Sequence, residues 1–366
     1  MCIYLIVDFV LLFLFWSKNK ENSKLIFILS CFALFFLMSA HNGNFNPILD
    51  YTNYMNLFLG KYSMYGDLDV KGGYELEYPF YYFDIILRHI SKTPLVYILG
   101  TSITFCAPFF YLIKKESLNP ALSILLLMLV NGTQIYLFFF SAHRQMFATM
   151  FLLWAYIVYR YTNIKYKQIL VFALLFLGLS SHSSSFFIIP IAIFLFFIKT
   201  PSKKKLYLII CIALILGLFL RTFVSDNVTY ILSMFGGIDE LERSTHYMLD
   251  DVYGDQKTYE FTSLPPHALL ICLFVYLYSN EELQTYPVKC WITGFVLFLG
   301  LSSVQLINRA LLFFFLMGFA GALPNALKRI KVKKMFFMVL IFFIYIAYRR
   351  YTDPEYLLLP YNFYFF

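Results

Sequence analysis

Three short polar clusters interrupt a chain that is otherwise strongly apolar. Ser141, Ala142, His143, Arg144 and Gln145 precede one apolar run; Ser180 to Ser185, with His182 among the serines, form a tight turn between two more; Gln305, Asn308 and Arg309 open another. Guanidinium and imidazole groups at the start of helices suit an anion, because the first N–H groups of a helix are unpaired and carry the positive end of its dipole. A guanidinium also offers paired donors that match phosphate oxygens. Two arginines and a histidine on converging helix starts would therefore hold a phosphate or pyrophosphate. The plainer reading makes Arg144 and Arg309 snorkelling residues at a membrane surface and Ser141 and Ser183 simple helix caps.

Acid–base work needs carboxylates, and segment 41 to 94 supplies Asp50, Asp67, Asp69, Glu75, Glu77 and Asp84. In Asp50-Tyr51-Thr52-Asn53-Tyr54, helical spacing puts Asp50, Asn53 and Tyr54 on one face. Glu77 directly precedes Tyr78-Pro79, which biases it to extended backbone before the next helical stretch. Either carboxylate could act as a general base or bind sugar hydroxyls, although most external carboxylates simply solvate a surface. Asp67 and Asp69 spell the metal–nucleotide pattern of many soluble glycosyltransferases. Nucleotide sugars are cytoplasmic, however, and this loop is read below as external, so no metal is expected. No Walker A loop, dinucleotide fingerprint, zinc-protease helix or serine-hydrolase elbow is present, which removes ATPase, dehydrogenase and protease readings.

The elements that must position these groups are set by composition. The chain has 366 residues, 60% hydrophobic and 14% charged, with mean hydropathy +0.70. Soluble domains carry about 25% charged residues, so a water-soluble fold is excluded. Runs of about 20 apolar residues, shorter where flanks snorkel, predict twelve spans. They cover 1 to 16, 25 to 40, 95 to 113, 118 to 138, 144 to 159, 168 to 181, 184 to 198, 206 to 223, 266 to 279, 290 to 306, 309 to 327 and 335 to 348. The first lacks a basic flank and cleavage site and is expected to stay as a helix. Asp8 lies within it without an identified partner.

Alternate loops carry Lys18, Lys20 and Lys24; Lys114 and Lys115; Arg160, Lys165 and Lys167; Lys199 and Lys203 to Lys205; Lys289; and Lys328, Arg329, Lys331, Lys333 and Lys334. Basic residues in short loops stay cytoplasmic, so these loops face inward and the three polar clusters face outward. The formal charge of +8 thus reports orientation and no nucleic-acid partner is expected. Residues 1 to 366 read as a single integral membrane domain. It carries two larger external segments, 41 to 94 with a short interfacial helix near Pro79 to Ile90 and the acidic 225 to 265, and an external tail, 349 to 366. The six cysteines show no metal or disulfide spacing.

The succession Asp50-Tyr51-x-x-Tyr54, Glu77-Tyr78-Pro79-Phe80-Tyr81-Tyr82, Arg144-Gln145, His182-Ser183-Ser184 leading to Pro190, Asn308-Arg309 and Leu359-Pro360-Tyr361 resembles the EpsG-type membrane proteins of bacterial polysaccharide synthesis, relatives in role of the Wzy-type O-antigen polymerases. The resemblance spans nearly the whole chain. It implies a multi-pass enzyme of the bacterial inner membrane with GT-C-like architecture and a periplasmic active face. Such an enzyme moves a growing chain from undecaprenyl pyrophosphate onto the next lipid-linked repeat unit. Matching positions are Asp50, Glu77, Arg144, Gln145, His182 and Arg309; His143 stands where many relatives carry an apolar residue, and 225 to 265 shows no motif that aligns by eye.

On this reading Arg144 and Arg309, with Gln145 and Asn308, bind pyrophosphate, while Glu77, Asp50 or His182 takes the proton of the acceptor hydroxyl. External tyrosines such as Tyr54 offer surfaces on which sugars stack. No cofactor or metal is implied. The expected partners are lipid-linked glycan donor and acceptor, membrane lipid, a chain-length regulator and a flippase. A lipid-linked oligosaccharide flippase, a non-catalytic scaffold and, less directly, an acyltransferase using His182 are the competing functions.

Overall fold

Apolar runs without β-branched alternation fold as helices, and every regular element among the described residues is helical. The computed structural model describes residues 23–39, 51–60, 78–127, 143–182, 184–234, 256–301, 311–328 and 341. In chain order the helices are α1 (Ser23–Ser39), α2 (Tyr51–Phe58), α3 (Tyr78–Ile90), α4 (Pro94–Glu116), α5 (120–127), α6 (His143–Tyr161), α7 (Lys167–Leu179), α8 (Ser185–Phe197), α9 (Lys203–Met234), α10 (Gln256–Leu277), α11 (Tyr286–Leu301), α12 (Leu312–Met317) and α13 (Leu323–Lys328). A π turn, Gly318–Ala322, joins the last two.

Most predicted spans from 25 to 327 coincide with a described helix. Among the described residues, helix α4 is long and apolar enough to cross a membrane, and six other apolar helices run 10–17 residues. The predicted spans 1 to 16 and 335 to 348 and the tail 349 to 366 lie outside the described residues, apart from helical Ile341. Helix α9 runs on to Met234 and α10 starts at Gln256, so both reach into segment 225 to 265. The short helix expected at Pro79 to Ile90 is α3, and it buries one face, Phe80, Asp84 and Leu87, while Tyr78, Tyr82, Ile86 and Ile90 are exposed.

The chain divides into two compact units, residues 1–189 with 319–366, and residues 190–318. In the first, α4 begins with Pro94 in its first turn, where the missing N–H costs nothing. Its start meets the start of α6 through Tyr97 and His143, and its end meets the end of α6 through Glu116 and Tyr156. The two helices therefore run parallel, as the alternation of basic loops requires. Helix α6 is buried on almost every side. Helix α7 returns antiparallel: a Cβ on Gly178 would come within 2.7 Å of the end of the Leu152 side chain, so a larger residue here would make that side chain move.

The basic end of this unit is tied by polar bonds. Glu116 accepts from the phenols of Tyr156 and Tyr161. Asn325 of α13 donates to the Glu116 carbonyl at 3.1 Å and accepts from the Leu118 N–H at 2.7 Å. Burial, then the bond to Glu116, pushes the Tyr161 phenol above its usual range. Lys115 lies over the Tyr111 and Tyr161 rings.

The second unit packs α9, α10, α11 and α12 around Trp291, whose neighbours are Phe274, Phe295 and Phe315. Gly217 of α9 lies against the Leu299 carbonyl of α11, where a Cβ would sit 1.8 Å from the oxygen. Lys289 donates to the carbonyls of Leu195 and Ile198, satisfying the end of α8. Outward stripes such as Ile169, Phe172 and Phe176 on α7, or Leu208, Ile212, Ile215 and Phe219 on α9, are exposed apolar surface of the kind lipid covers.

Candidate functional site

Successive residues of a helix point about 100° apart, so His143, Arg144 and Gln145 at the start of α6 reach three different neighbours. His143 turns into the unit and is 1% exposed. Its Nδ1 lies 2.6 Å from the Tyr97 hydroxyl of α4. Its ring lies nearly parallel to that of Tyr54, with centroids 5.1 Å apart and planes at 14°, and meets Phe105 edge-on.

Arg144 reaches α2. Its Nε donates to the Tyr54 hydroxyl at 3.1 Å, and its guanidinium carbon lies 5.8 Å from the centre of the same ring. Tyr54 is thus contacted by an imidazole stacked on its ring and by a guanidinium at its hydroxyl, and Phe80 of α3 meets it edge-on at 5.7 Å. The bond from Arg144 to a phenol orients the cation with an uncharged group.

Gln145 turns the third way and is 5% exposed. Its Nε2 lies 3.4 Å from the Ser184 hydroxyl, in the turn between α7 and α8. That hydroxyl lies 2.8 Å from Nδ1 of His182, and the Ser184 backbone N–H donates to the same nitrogen at 3.1 Å. Serines punctuate the turn because their hydroxyls answer local backbone groups: Ser180 and Ser181 donate to the Phe176 and Leu177 carbonyls.

Of the residues singled out in the sequence, Tyr54, Arg144, Gln145 and His182 are thereby drawn to one end of the first unit, with the starts of α6 and α8 side by side. Asp50, Glu77, Asn308 and Arg309 lie outside the described residues, as do Ser141, Ala142, Asp67 and Asp69. Among the described residues no three His, Cys, Asp or Glu side chains gather where a metal ion could be held.

Two contributors had no part in the sequence reading, and a third, Asp84, stood there only as one of the carboxylates of segment 41 to 94. Tyr97 carries no local signal, since its partner His143 is 46 residues away. Arg88 looks like a surface cation, yet it donates to the Leu57 carbonyl at the end of α2 and lies over Phe58, fixing the helix that carries Tyr54. Asp84 is buried at 2% exposure on the same face of α3 as Phe80; helical periodicity, four residues apart, was the available clue.

No curated protein and no solved structure matches the chain. A family model described as the EpsG family matches residues 25–363, nearly its whole length, so the chain belongs to the EpsG family, a Wzy-type family of membrane polysaccharide polymerases.

Proposed function

We propose that this protein joins undecaprenyl-pyrophosphate-linked oligosaccharide repeat units at the periplasmic face of the bacterial inner membrane, as a lipid-donor glycosyltransferase in the synthesis of O-antigen or a related surface polysaccharide. The observation that carries the reading is the gathering of Arg144, Gln145, Tyr54 and the His182–Ser184 turn at the adjoining starts of α6 and α8. Family membership supports polymer chemistry and a place in the membrane, and the outward apolar stripes are surface of the kind lipid covers.

Transfer breaks the bond between the anomeric carbon and pyrophosphate while the acceptor hydroxyl oxygen bonds to that carbon. Arg144, with Arg309, Gln145 and Asn308, holds the departing diphosphate and stabilises the charge that develops there, a contribution of roughly 3 kcal/mol for one well-placed donor. A base drawn from Glu77, Asp50 and His182 accepts the hydroxyl proton. Direct attack inverts the anomeric configuration. Tyr54 and its neighbouring tyrosines present flat amphipathic faces to the sugars. The diphosphate is already a competent leaving group, so no metal or cofactor enters this scheme.

Incubating the purified protein with its lipid-linked repeat unit, without nucleotide or added metal, is expected to yield a ladder of polymers. A protein that moves the unit across a bilayer without lengthening it would be a flippase, and one that does neither would be a scaffold.

A further inference from the structure

We infer that the turn between α6 and α7 binds one anionic phospholipid, with Arg160, Lys165 and Lys167 around its phosphate and an acyl chain along Ile169, Phe172 and Phe176 of α7. On the proposed orientation this is the cytoplasmic leaflet, at the opposite end of α6 from Arg144.

Positive charge is uncompensated at this turn. Residues 159–170 include Arg160, Lys165 and Lys167, and no Asp or Glu occurs between Glu116 and Asp226. Glu116, which the fold brings to the end of α6, is taken by the phenols of Tyr156 and Tyr161. Arg160 and Lys165 are exposed, and Lys167 is half-buried. Among the described residues Lys165 lies over the Tyr166 ring at 5.5 Å. Lys167 lies 5.6 Å from the centre of the Tyr159 ring and 3.5 Å from its carbonyl oxygen. Arg160 makes no hydrogen bond or ion pair with any described residue. Rings and a carbonyl orient a cation without neutralising it.

An apolar surface begins at the same turn. Tyr166, Ile169, Phe172 and Phe176 are 61, 68, 71 and 60% exposed. Steps of three, three and four residues keep them on one face of the helix. Gly178, on the opposite side, is the residue that comes against Leu152 of α6. At 1.5 Å per residue the exposed face runs about 15 Å, half of the roughly 30 Å hydrocarbon core and so the depth of one leaflet. Tyr166 opens it, where a ring with an apolar body and a polar tip suits the level of the headgroups.

A cluster of cations at the end of an apolar face one leaflet deep fits a molecule with an anionic head and a hydrocarbon tail. A free phosphate would leave the apolar face bare. A zwitterionic lipid would bring its own ammonium among three cations, so a headgroup that is negative overall is favoured. A second copy of this chain, meeting the first about a twofold axis, would set the same cations against one another.

The test captures the lipid in place. A photoreactive benzophenone side chain replaces Phe172 in the full-length protein, held in nanodiscs of equal phosphatidylglycerol and phosphatidylcholine, and mass spectrometry identifies the adduct formed on illumination. Phosphatidylglycerol should be captured roughly 100-fold more than phosphatidylcholine, the product of about fivefold for each of three cations. Arg160→Gln, Lys165→Gln or Lys167→Gln alone should cut the ratio about fivefold, and all three together should bring it to about one. Arg160→Lys combined with Lys165→Arg and Lys167→Arg should keep it, which separates charge from folding. A wild-type ratio near one, or a preference that survives the triple glutamine variant, overturns the site. Loss of the preference on adding inorganic phosphate at constant ionic strength would assign the cations to a soluble anion, and a crosslink to a second copy would assign the apolar face to a dimer; either result overturns the lipid site as well.

Discussion

The two ends of the parallel pair α4 and α6 are built from similar side chains for different ends. At the starts of the helices, Tyr97 meets His143, and Tyr54 lies between His143 and Arg144. At their ends, Tyr156 and Tyr161 both bond Glu116, and Asn325 ties the neighbouring backbone. In both places phenols hold a charged group. At the basic end the charge is a carboxylate wrapped by protein donors, which is how a structural tie is satisfied. At the opposite end the charge is a guanidinium steered by an uncharged phenol, beside the start of a helix and a histidine turn. On the proposed function, that is the end at which the diphosphate binds.

The comparison breaks most readily at Arg144. Arg144→Ala should reduce polymerisation by about 100-fold or more, roughly 3 kcal/mol of transition-state stabilisation, with the protein still present in the membrane. Surface-polysaccharide ladders in a deletion strain complemented with the variant report the loss. Arg309→Ala is expected to behave alike, and normal ladders from both would end the idea of a pyrophosphate clamp.

Glu116→Ala should have the opposite signature. It removes the acceptor shared by two phenols, at a cost of about 2 kcal/mol in stability. The thermal midpoint in detergent should fall, while the rate per folded molecule is kept. Smaller still is Tyr54→Phe, which keeps the ring between His143 and Arg144 and deletes only the bond to Nε. About 1 kcal/mol, or several-fold in rate, is expected, read from initial rates of polymer formation. Lys115→Gln should cost about 0.5 kcal/mol, the worth of an exposed cation over aromatic rings, and leave activity unchanged.

The same contrast explains what was legible in the sequence. Helix placement follows from runs of apolar residues, and the span predicted at 95 to 113 appears as Pro94–Glu116 because a first-turn proline and a flanking lysine pair mark its ends. The parallel course of α4 and α6 was legible too, since basic residues mark alternate loops. Arg144, Gln145 and His182 stood out because polar groups are costly where an apolar run could have continued. The partners did not stand out. Tyr54 and Arg144 are 90 residues apart, and Leu118 and Asn325 are 207 apart, so no local pattern links them. Tyrosines are abundant in this chain, 30 in all, and composition cannot say which of them grips a charge. His143 was visible as a neighbour of Arg144, but only its burial against Tyr97 and Tyr54 gives it a part in holding the cation.

The most direct measurement compares Arg144→Ala and Glu116→Ala side by side in proteoliposomes, as initial polymerisation rate per folded molecule alongside thermal midpoint. The account predicts that Arg144→Ala loses about 100-fold in rate with a midpoint near that of the wild type, whereas Glu116→Ala keeps its rate and melts earlier. Equal loss of rate in the two variants, or a full rate in Arg144→Ala, would contradict the assignment of the chemistry to the end that holds Tyr54, Arg144 and His182.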